Sequence, residues 1–446
     1  INKAIKKGSK IIISESSSEK MINGILYLRV KNIRKLLAKF SNKLFPNKPK
    51  NLIAVTGTNG KSSVADFYRQ ILNLNKKKAV SIGTLGVMGQ NLNKKMLNTT
   101  SNPFLLNKLL NQIKEKKIDN VVLEASSHGL KQSRLYGLKF KTGIFTNLSR
   151  DHLDYHKNYK DYLNSKLILF KDLMVKGSNL IYDESIKTSK ILKKIAKNKN
   201  FKSLTIGTNK SDLKILDHKY FKEDQFVTIS YNKNIYKFTT SLIGKIQLKN
   251  LLMSILSANK MGIKFTNIID SVKYIKPVNG RFEKIGKIKN NSLVILDFAH
   301  TPEALRTCLI NLKDQFKLRK INLVFGCGGE RDKQKREIMG RIANKYCSKI
   351  YLTDDNPRSE DPKKIRNNIK KSINSSKLFE ISSRENAIKT SINNINSDEI
   401  LVIAGKGHEQ YQEYSIKKKF SDKKCILKSI VKKNKTLSNN WKNNIL

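Results

Sequence analysis

The chain is 446 residues long and carries 89 lysines and arginines against 35 aspartates and glutamates, a formal net charge of +54. That length exceeds what one hydrophobic core serves comfortably, so two or three domains are expected; no apolar run approaches the roughly 18–20 residues of a membrane span, so no membrane insertion is expected. The lysines are spread along the whole chain without an arginine–aromatic stripe, which reads as a solvated basic surface able to steer small anions and not as a specific nucleic-acid interface.

Residues 1–48 form a short opening segment that closes on Pro46-Asn47-Lys48-Pro49, a linker signature. A β-branched run predicts a strand at 52–55, and 62–72 reads as the helix after a glycine-rich turn. Further strands are predicted at 121–123, ending on Glu124, and at 142–146, ending on Asn147. Helices are predicted over 159–170 and over 248–261, the second after the turn Ser241-Leu242-Ile243-Gly244. The cluster from Pro277 to Gly280 breaks the pattern. Strands then recur at 293–297, 321–325, 349–353 and 399–404, each emptying into a polar loop. This alternation predicts an α/β protein with helix-covered parallel sheets and ligands at the carboxyl ends of the strands. The Lys/Asn-rich stretches 190–200 and 430–446 are expected at the surface or as frayed ends. Four cysteines (Cys308, Cys327, Cys347 and Cys425) have no close metal-site spacing and read as reduced thiols of a cytoplasmic protein.

The run Ala54-Val55-Thr56-Gly57-Thr58-Asn59-Gly60-Lys61-Ser62-Ser63 leaves a strand and opens a helix. Glycines there let backbone N–H groups turn toward phosphate, Lys61 supplies a compact cation, and the Ser62 hydroxyl can reach Mg²⁺. A standard P-loop has Gly where this chain has Val55, so the match is to ATP binding with one departure. Glu124, at a strand end, is an ordinary Mg²⁺ ligand type. His152 is open between a ligand and a satisfied structural histidine. His128, His152 and His156 fall in one region of the sequence. Lys166, taken as a bare residue, reads as surface.

Together these segments resemble the Mur ligase family, which also contains folylpolyglutamate synthases. The family loop Thr-Gly-Thr-Asn-Gly-Lys-[Thr/Ser] is matched from Thr56 to Ser62, which accommodates Val55. The resemblance implies ATP-driven formation of an acyl phosphate and then an amide. It implies a three-domain architecture with a central P-loop parallel-sheet domain and a Rossmann-like C-terminal domain. The corresponding bounds are 1–48 for a remnant of the UDP-binding domain, whose first half is missing by this comparison, 49–278 for the ATP-binding domain and 279–446 for the amino-acid-binding domain. Gly57, Thr58, Asn59, Gly60, Lys61 and Ser62 would hold the nucleotide. Arg281 in Asn279-Gly280-Arg281-Phe282-Glu283 would join them, as would Asp297 and His300 in Asp297-Phe298-Ala299-His300-Thr301-Pro302, where Phe298 replaces the family's Tyr. Ser62, Glu124, His152 and a carbamylated Lys166 would serve Mg²⁺, with Lys61, His152 and Lys166 in the chemistry.

The run Asp355-Asn356-Pro357-Arg358 resembles the signature of members that add meso-diaminopimelate, since an Arg can grip that amino acid's distal carboxylate bidentately. The resemblance implies that Arg331, Asp355, Asn356, Pro357, Arg358, Gly405 and Glu409 surround it, with Glu409 on the distal ammonium. Thr99, Thr100, Ser126, Ser127 and Arg134 would contact the UDP-linked muramoyl dipeptide. A monomer is expected. The rival readings are another amide ligase of the family or a folylpolyglutamate synthase, and, from a different class, a nucleic-acid-stimulated P-loop ATPase.

Overall fold

The computed structural model describes residues 1–16, 19–208 and 210–443. Asn51–Thr56, sequence NLIAVT, is buried from Leu52 onward. It can afford apolar side chains on both faces because it is a central strand with parallel neighbours, Asn120–Glu124 and Phe140–Phe145, on either side. Those strands belong to a ten-stranded sheet whose order runs 234–240, 224–231, 213–221, 202–207, 174–183, 140–145, 51–56, 120–124, 79–83, 86–88. Seven strands of its middle are parallel. The hairpins at 213–240 and the strand Gly86–Met88 add antiparallel edges.

Two apolar clusters sandwich this sheet. On one face, Val64, Phe67, Tyr68 and Ile71 of helix Lys61–Leu74 pack with Leu251, Leu252 and Ile255 of helix Lys245–Asn259. On the other, Leu106, Leu110 and Ile113 of helix Pro103–Glu115 pack against Leu52, Val121 and Leu123. A second, six-stranded sheet has the order 283–287, 293–297, 400–404, 321–325, 349–352, 378–380, parallel except for its first strand. A small sheet, 11–14, 25–29 and 20–22, precedes both.

One sequence expectation is corrected, and two stretches expected at the surface prove to be ordered helix with mostly exposed residues. The helix predicted over 159–170 is α-helical only through Tyr159–Ile168 and continues as a π-helical turn, Leu169–Leu173, that runs directly into strand Met174–Asp183. The stretch 190–200 lies within helix Ser189–Lys199, apart from Asn200 at its end, because Leu192, Ile195 and Ala196 at helical spacing are buried under the lysine-rich outer face. Likewise 430–443 is the continuation of helix Asp422–Asn443, while 444–446 lie outside the described residues. Among the described residues no helix is long and apolar enough to cross a membrane.

Candidate active site

The glycine-rich turn is held by its neighbour strand. Thr58 N–H donates to the Asn147 carbonyl and Asn59 N–H to Asn147 Oδ1, both at 2.9 Å, while Thr146 Oγ1 donates to the Asn59 carbonyl at 2.6 Å. A Cβ on Gly57 would lie 1.9 Å from Thr146 Oγ1, and one on Gly60, whose φ is +87°, 2.6 Å from Asn250 Oδ1. Neither position therefore admits a side chain. Helix Lys61–Leu74 starts from Gly60 with no side-chain cap, so its first N–H groups and the positive end of its dipole remain available to an anion.

Two lysines converge beneath this turn. Lys61 Nζ donates to the carbonyls of Gly57 and Thr58 at 2.9 and 2.7 Å. Lys166 Nζ donates to the same Gly57 carbonyl at 2.8 Å and lies 4.4 Å from the centre of the Tyr162 ring. Lys166 is buried, contrary to its bare-sequence reading as a surface residue. Burial pushes its pKa well below the usual lysine value, and Lys61 adds repulsion. Burial also lowers Lys61, against the attraction of Glu124 and Asp151.

Glu124 ends its strand opposite Gly83, where an added Cβ would come within 2.1 Å of the Glu124 carboxylate. Both carboxylate oxygens are held by one residue: Thr84 N–H donates to Oε1 at 2.9 Å and Thr84 Oγ1 to Oε2 at 3.0 Å. Thr99 Oγ1 is 3.0 Å from Thr84 Oγ1. Thr100 is internal: its hydroxyl donates to the Glu124 carbonyl and accepts from Ser126 N–H. Arg134 Nη1 holds the Thr100 carbonyl at 2.6 Å, and its other nitrogens hold Gln132 Oε1. The three nearby histidines do cluster. The His128 ring is 4.9 Å from His152 and 5.5 Å from His156, and His156 Nε2 is 2.9 Å from Ser127 Oγ. His152 adopts φ +54°, and its Nε2 lies 3.4 Å from Asp151 Oδ2. Burial outweighs Asp151 and pushes the His152 imidazole down to about 4.

The second large sheet closes over this region. The Arg281 guanidinium stacks 4.1 Å from the centre of the Phe298 ring, and its Nη1 is buried without a partner. Asp297 Oδ2 and Oδ1 accept from Phe282 N–H at 2.7 Å and Ala299 N–H at 2.9 Å. Burial raises the Asp297 pKa against these donors and Arg281. His300 Nδ1 is 2.8 Å from the Phe298 carbonyl. A cavity of about 320 Å³ is lined by Thr58 to Ser63, Thr99, Glu124, Ser126, Ser127, Lys166, Arg281, Asp297 and His300, among others. Thr100 and Arg134 stand behind that lining.

A second cavity, about 510 Å³, is lined by Arg331, Asp355, Asn356, Arg358, Gly405 and Glu409. The two cavities share Asp151, His152, Phe298 and His300 as a common wall. In the second, Arg358 Nη1 donates to the Gly329 carbonyl at 2.8 Å, and its Nε lies 3.3 Å from Glu413 Oε2. Glu409 Oε2 accepts from Asn356 Nδ2 at 3.0 Å and from fully buried Lys406 at 2.8 Å. Asp355 Oδ2 is buried and makes no hydrogen bond, but pairs in charge with Arg384 Nη1 at 3.9 Å. Arg331 reaches back to Asp154 at 3.6 Å. Pro357 does not line the cavity; its carbonyl accepts from Glu360 N–H and forms part of the turn under Gly329.

Sequence reasoning missed Thr84, Asp151, Arg384 and Lys406, and gave Phe298 no role beyond its place in a motif. Lys406 lies between Gly405 and Glu409, both named from the sequence, and could have been found there. Thr84 and Arg384 carry no local signal, since their partners are 15 to 40 residues away.

Residues 55–258 match the model of the Mur ligase middle domain, and residues 280–407 that of the Mur ligase glutamate ligase domain. The UDP-N-acetylmuramoyl-L-alanyl-D-glutamate--2,6-diaminopimelate ligase of Rickettsia rickettsii is 42% identical over 437 residues, 96% of this chain and 90% of that protein. Its counterpart from Wigglesworthia glossinidia brevipalpis is 39% identical over 452 residues, 97% of this chain and 89% of that protein. A solved structure of a ligase with the same name superposes with a TM-score of 0.68 at 29% identity, covering 96% of this chain and 88% of that one. Folylpolyglutamate synthase from Mycobacterium tuberculosis, solved with ADP and AMPPCP, shares the fold with a TM-score of 0.69 at 14% identity, covering 83% of this chain and 92% of that one. The α/β sheets, the glycine-rich turn and these matches have one explanation: the chain belongs to the Mur ligase family.

Proposed function

We propose that this chain is an ATP-dependent amide ligase of peptidoglycan synthesis. It adds meso-2,6-diaminopimelate to UDP-N-acetylmuramoyl-L-alanyl-D-glutamate through an acyl phosphate, releasing ADP and phosphate. The names of the relatives support the reading. The observation that carries it is the wall of Asp151, His152, Phe298 and His300 shared by a phosphate-type cavity and a cavity bearing both charge signs. An acyl phosphate made on one side of such a wall lies within reach of an amine held on the other. In this reading residues 49–278 handle ATP, 279–446 the amino acid and 1–48 the UDP end. The protein acts as a cytoplasmic monomer.

Lys61 and the N–H groups of the turn hold the ATP phosphates, and Arg281, with its unpartnered Nη1, faces the same cavity. The γ-carboxylate of the D-glutamate attacks the γ-phosphate, and the diaminopimelate amine then displaces phosphate from the acyl carbon. Among the described residues no three or more His, Cys, Asp or Glu side chains form a cation cage. That fits Mg²⁺, which takes few protein oxygens and completes its shell with phosphate and water. Ser62 and Glu124 supply such oxygens, with His152 beside them. Mg²⁺ there would neutralise charge between phosphate and the attacking carboxylate. Lys166 fits a carbamate, because only a neutral amine adds CO₂ and burial shifts this amine well toward its neutral form. Asn356, Arg358 and Glu409 select the amino acid, with Asp355 beside them.

The test is phosphate release with ATP and the UDP-muramoyl dipeptide, comparing diaminopimelate with lysine and glutamate. Release with diaminopimelate is expected, and Arg358→Ala should lose it while still binding ATP. Release with lysine but not diaminopimelate would overturn the substrate assignment.

A further inference from the structure

Thr84 follows strand Ala79–Gly83, which pairs in parallel with Asn120–Glu124, and this register sets Thr84 beside the Glu124 carboxylate. Its N–H takes Oε1 and its hydroxyl takes Oε2, so one residue fixes the carboxylate plane at both oxygens. Gly83 leaves the room in which that carboxylate lies. The Thr84 hydroxyl has one proton, and it goes to Glu124. The 3.0 Å contact with Thr99 must therefore run the other way, with Thr99 donating to Thr84 Oγ1. The chain Thr99→Thr84→Glu124 is thus directional. It leaves the Thr99 oxygen, at the cavity lining, able only to accept.

We infer that Thr84 is a positioning residue with two effects: it holds Glu124 in place for the cation and phosphate, and it makes Thr99 an acceptor for an N–H group of the peptide-bearing substrate. The inference rests on the proposed cation role of Glu124. An outer partner of this kind sets ligand orientation, and its loss weakens metal affinity about 10–100-fold.

The measurement is Mn²⁺ binding, by electron paramagnetic resonance or calorimetry, to the full chain saturated with the non-hydrolysable nucleotide AMPPCP. Thr84→Val keeps the shape and the N–H bond but removes the hydroxyl, and should weaken Mn²⁺ about 10–100-fold. Thr84→Ser should stay within about threefold of the parent. Thr84→Ala serves as a second hydroxyl deletion, with thermal unfolding recorded for all. In turnover, Thr84→Val should also raise KM for the UDP-muramoyl dipeptide, and Thr84→Ser should not. Equal losses in the Ser and Val variants would overturn the inference, since the hydroxyl would then not be the cause. Weakened Mn²⁺ in Glu124→Gln but not in Thr84→Val or Thr84→Ala would overturn it alone. Unchanged Mn²⁺ in Glu124→Gln would overturn the cation role of Glu124 and this inference with it.

Discussion

Lys61 and Lys166 donate to one and the same acceptor, the Gly57 carbonyl, at 2.9 and 2.8 Å. Two ammonium groups around one oxygen repel, and the more deeply buried of them, Lys166, gives up its charge more readily. The phosphate turn thus sets the two lysines unequally, and burial favours the neutral form more strongly at Lys166.

Lys166 should take up CO₂. Its amine nitrogen bonds to the carbon and one proton is released, giving a carbamate. With ¹³C-bicarbonate, a carbamate resonance is expected in the parent protein and absent in Lys166→Ala, whose turnover should fall about 10–100-fold or more. Because the amine pKa is lowered, uptake is expected at a lower pH than for an ordinary lysine. Acidification protonates the amine and reverses it. A parent spectrum without the resonance at neutral pH would refute the carbamate.

Gly280→Ala should separate amino-acid binding from nucleotide binding. Gly280 has φ +67°, and a Cβ there would lie 2.3 Å from His408 N and 2.8 Å from Gly407 Cα, both backbone atoms. The loop carrying Gly405 and Glu409 must move. The left-handed conformation adds about 1–2 kcal/mol of strain for an L side chain. The expected result is a lower Tm and a raised KM for diaminopimelate with ATP affinity retained.

Lys406→Met should destabilise the chain. Lys406 is fully buried and donates to Asn356 Oδ1 and Glu409 Oε2, both at 2.8 Å. Removing one partner of a buried pair costs about 3 kcal/mol at the lower end of the usual range, which suits a Glu409 carboxylate still partly open to solvent. Urea unfolding measures this. The double variant Lys406→Met with Glu409→Gln should recover part of the loss, because no uncompensated carboxylate then remains.

Acid should weaken the fold in part through His408. Burial, aided by the Arg281 charge, pushes its imidazole down to about 3, and its Nδ1 has no partner. Between an unfolded value near 6.5 and this folded value, the unfolded chain binds the proton and the folded chain does not. Stability therefore rises with pH across that window and falls on acidification from about 6.5 downward, by at most about 1.4 kcal/mol per pH unit from this group. His408→Asn should flatten the stability–pH profile in that window; an unchanged slope would refute the assignment.

The sequence alone determined the elements whose signals are local. The strand at 51–56, the turn after it and helix Lys61–Leu74 were legible because glycine spacing, a β-branched run and an amphipathic run are properties of neighbouring residues. The same holds for the α/β class and for the strand ends at 297, 325 and 404. Only the tertiary structure decided what meets at those ends. Lys166 reads as one lysine among many until sheet order brings it to Gly57, 109 residues away in the chain. Thr84 is an ordinary loop threonine until parallel register sets it beside Glu124. The wall of Asp151, His152, Phe298 and His300 draws on both large sheets. The physical reason is common to all three. Local propensity fixes a backbone, but burial, pKa and hydrogen-bond direction depend on groups that only long-range packing brings into contact.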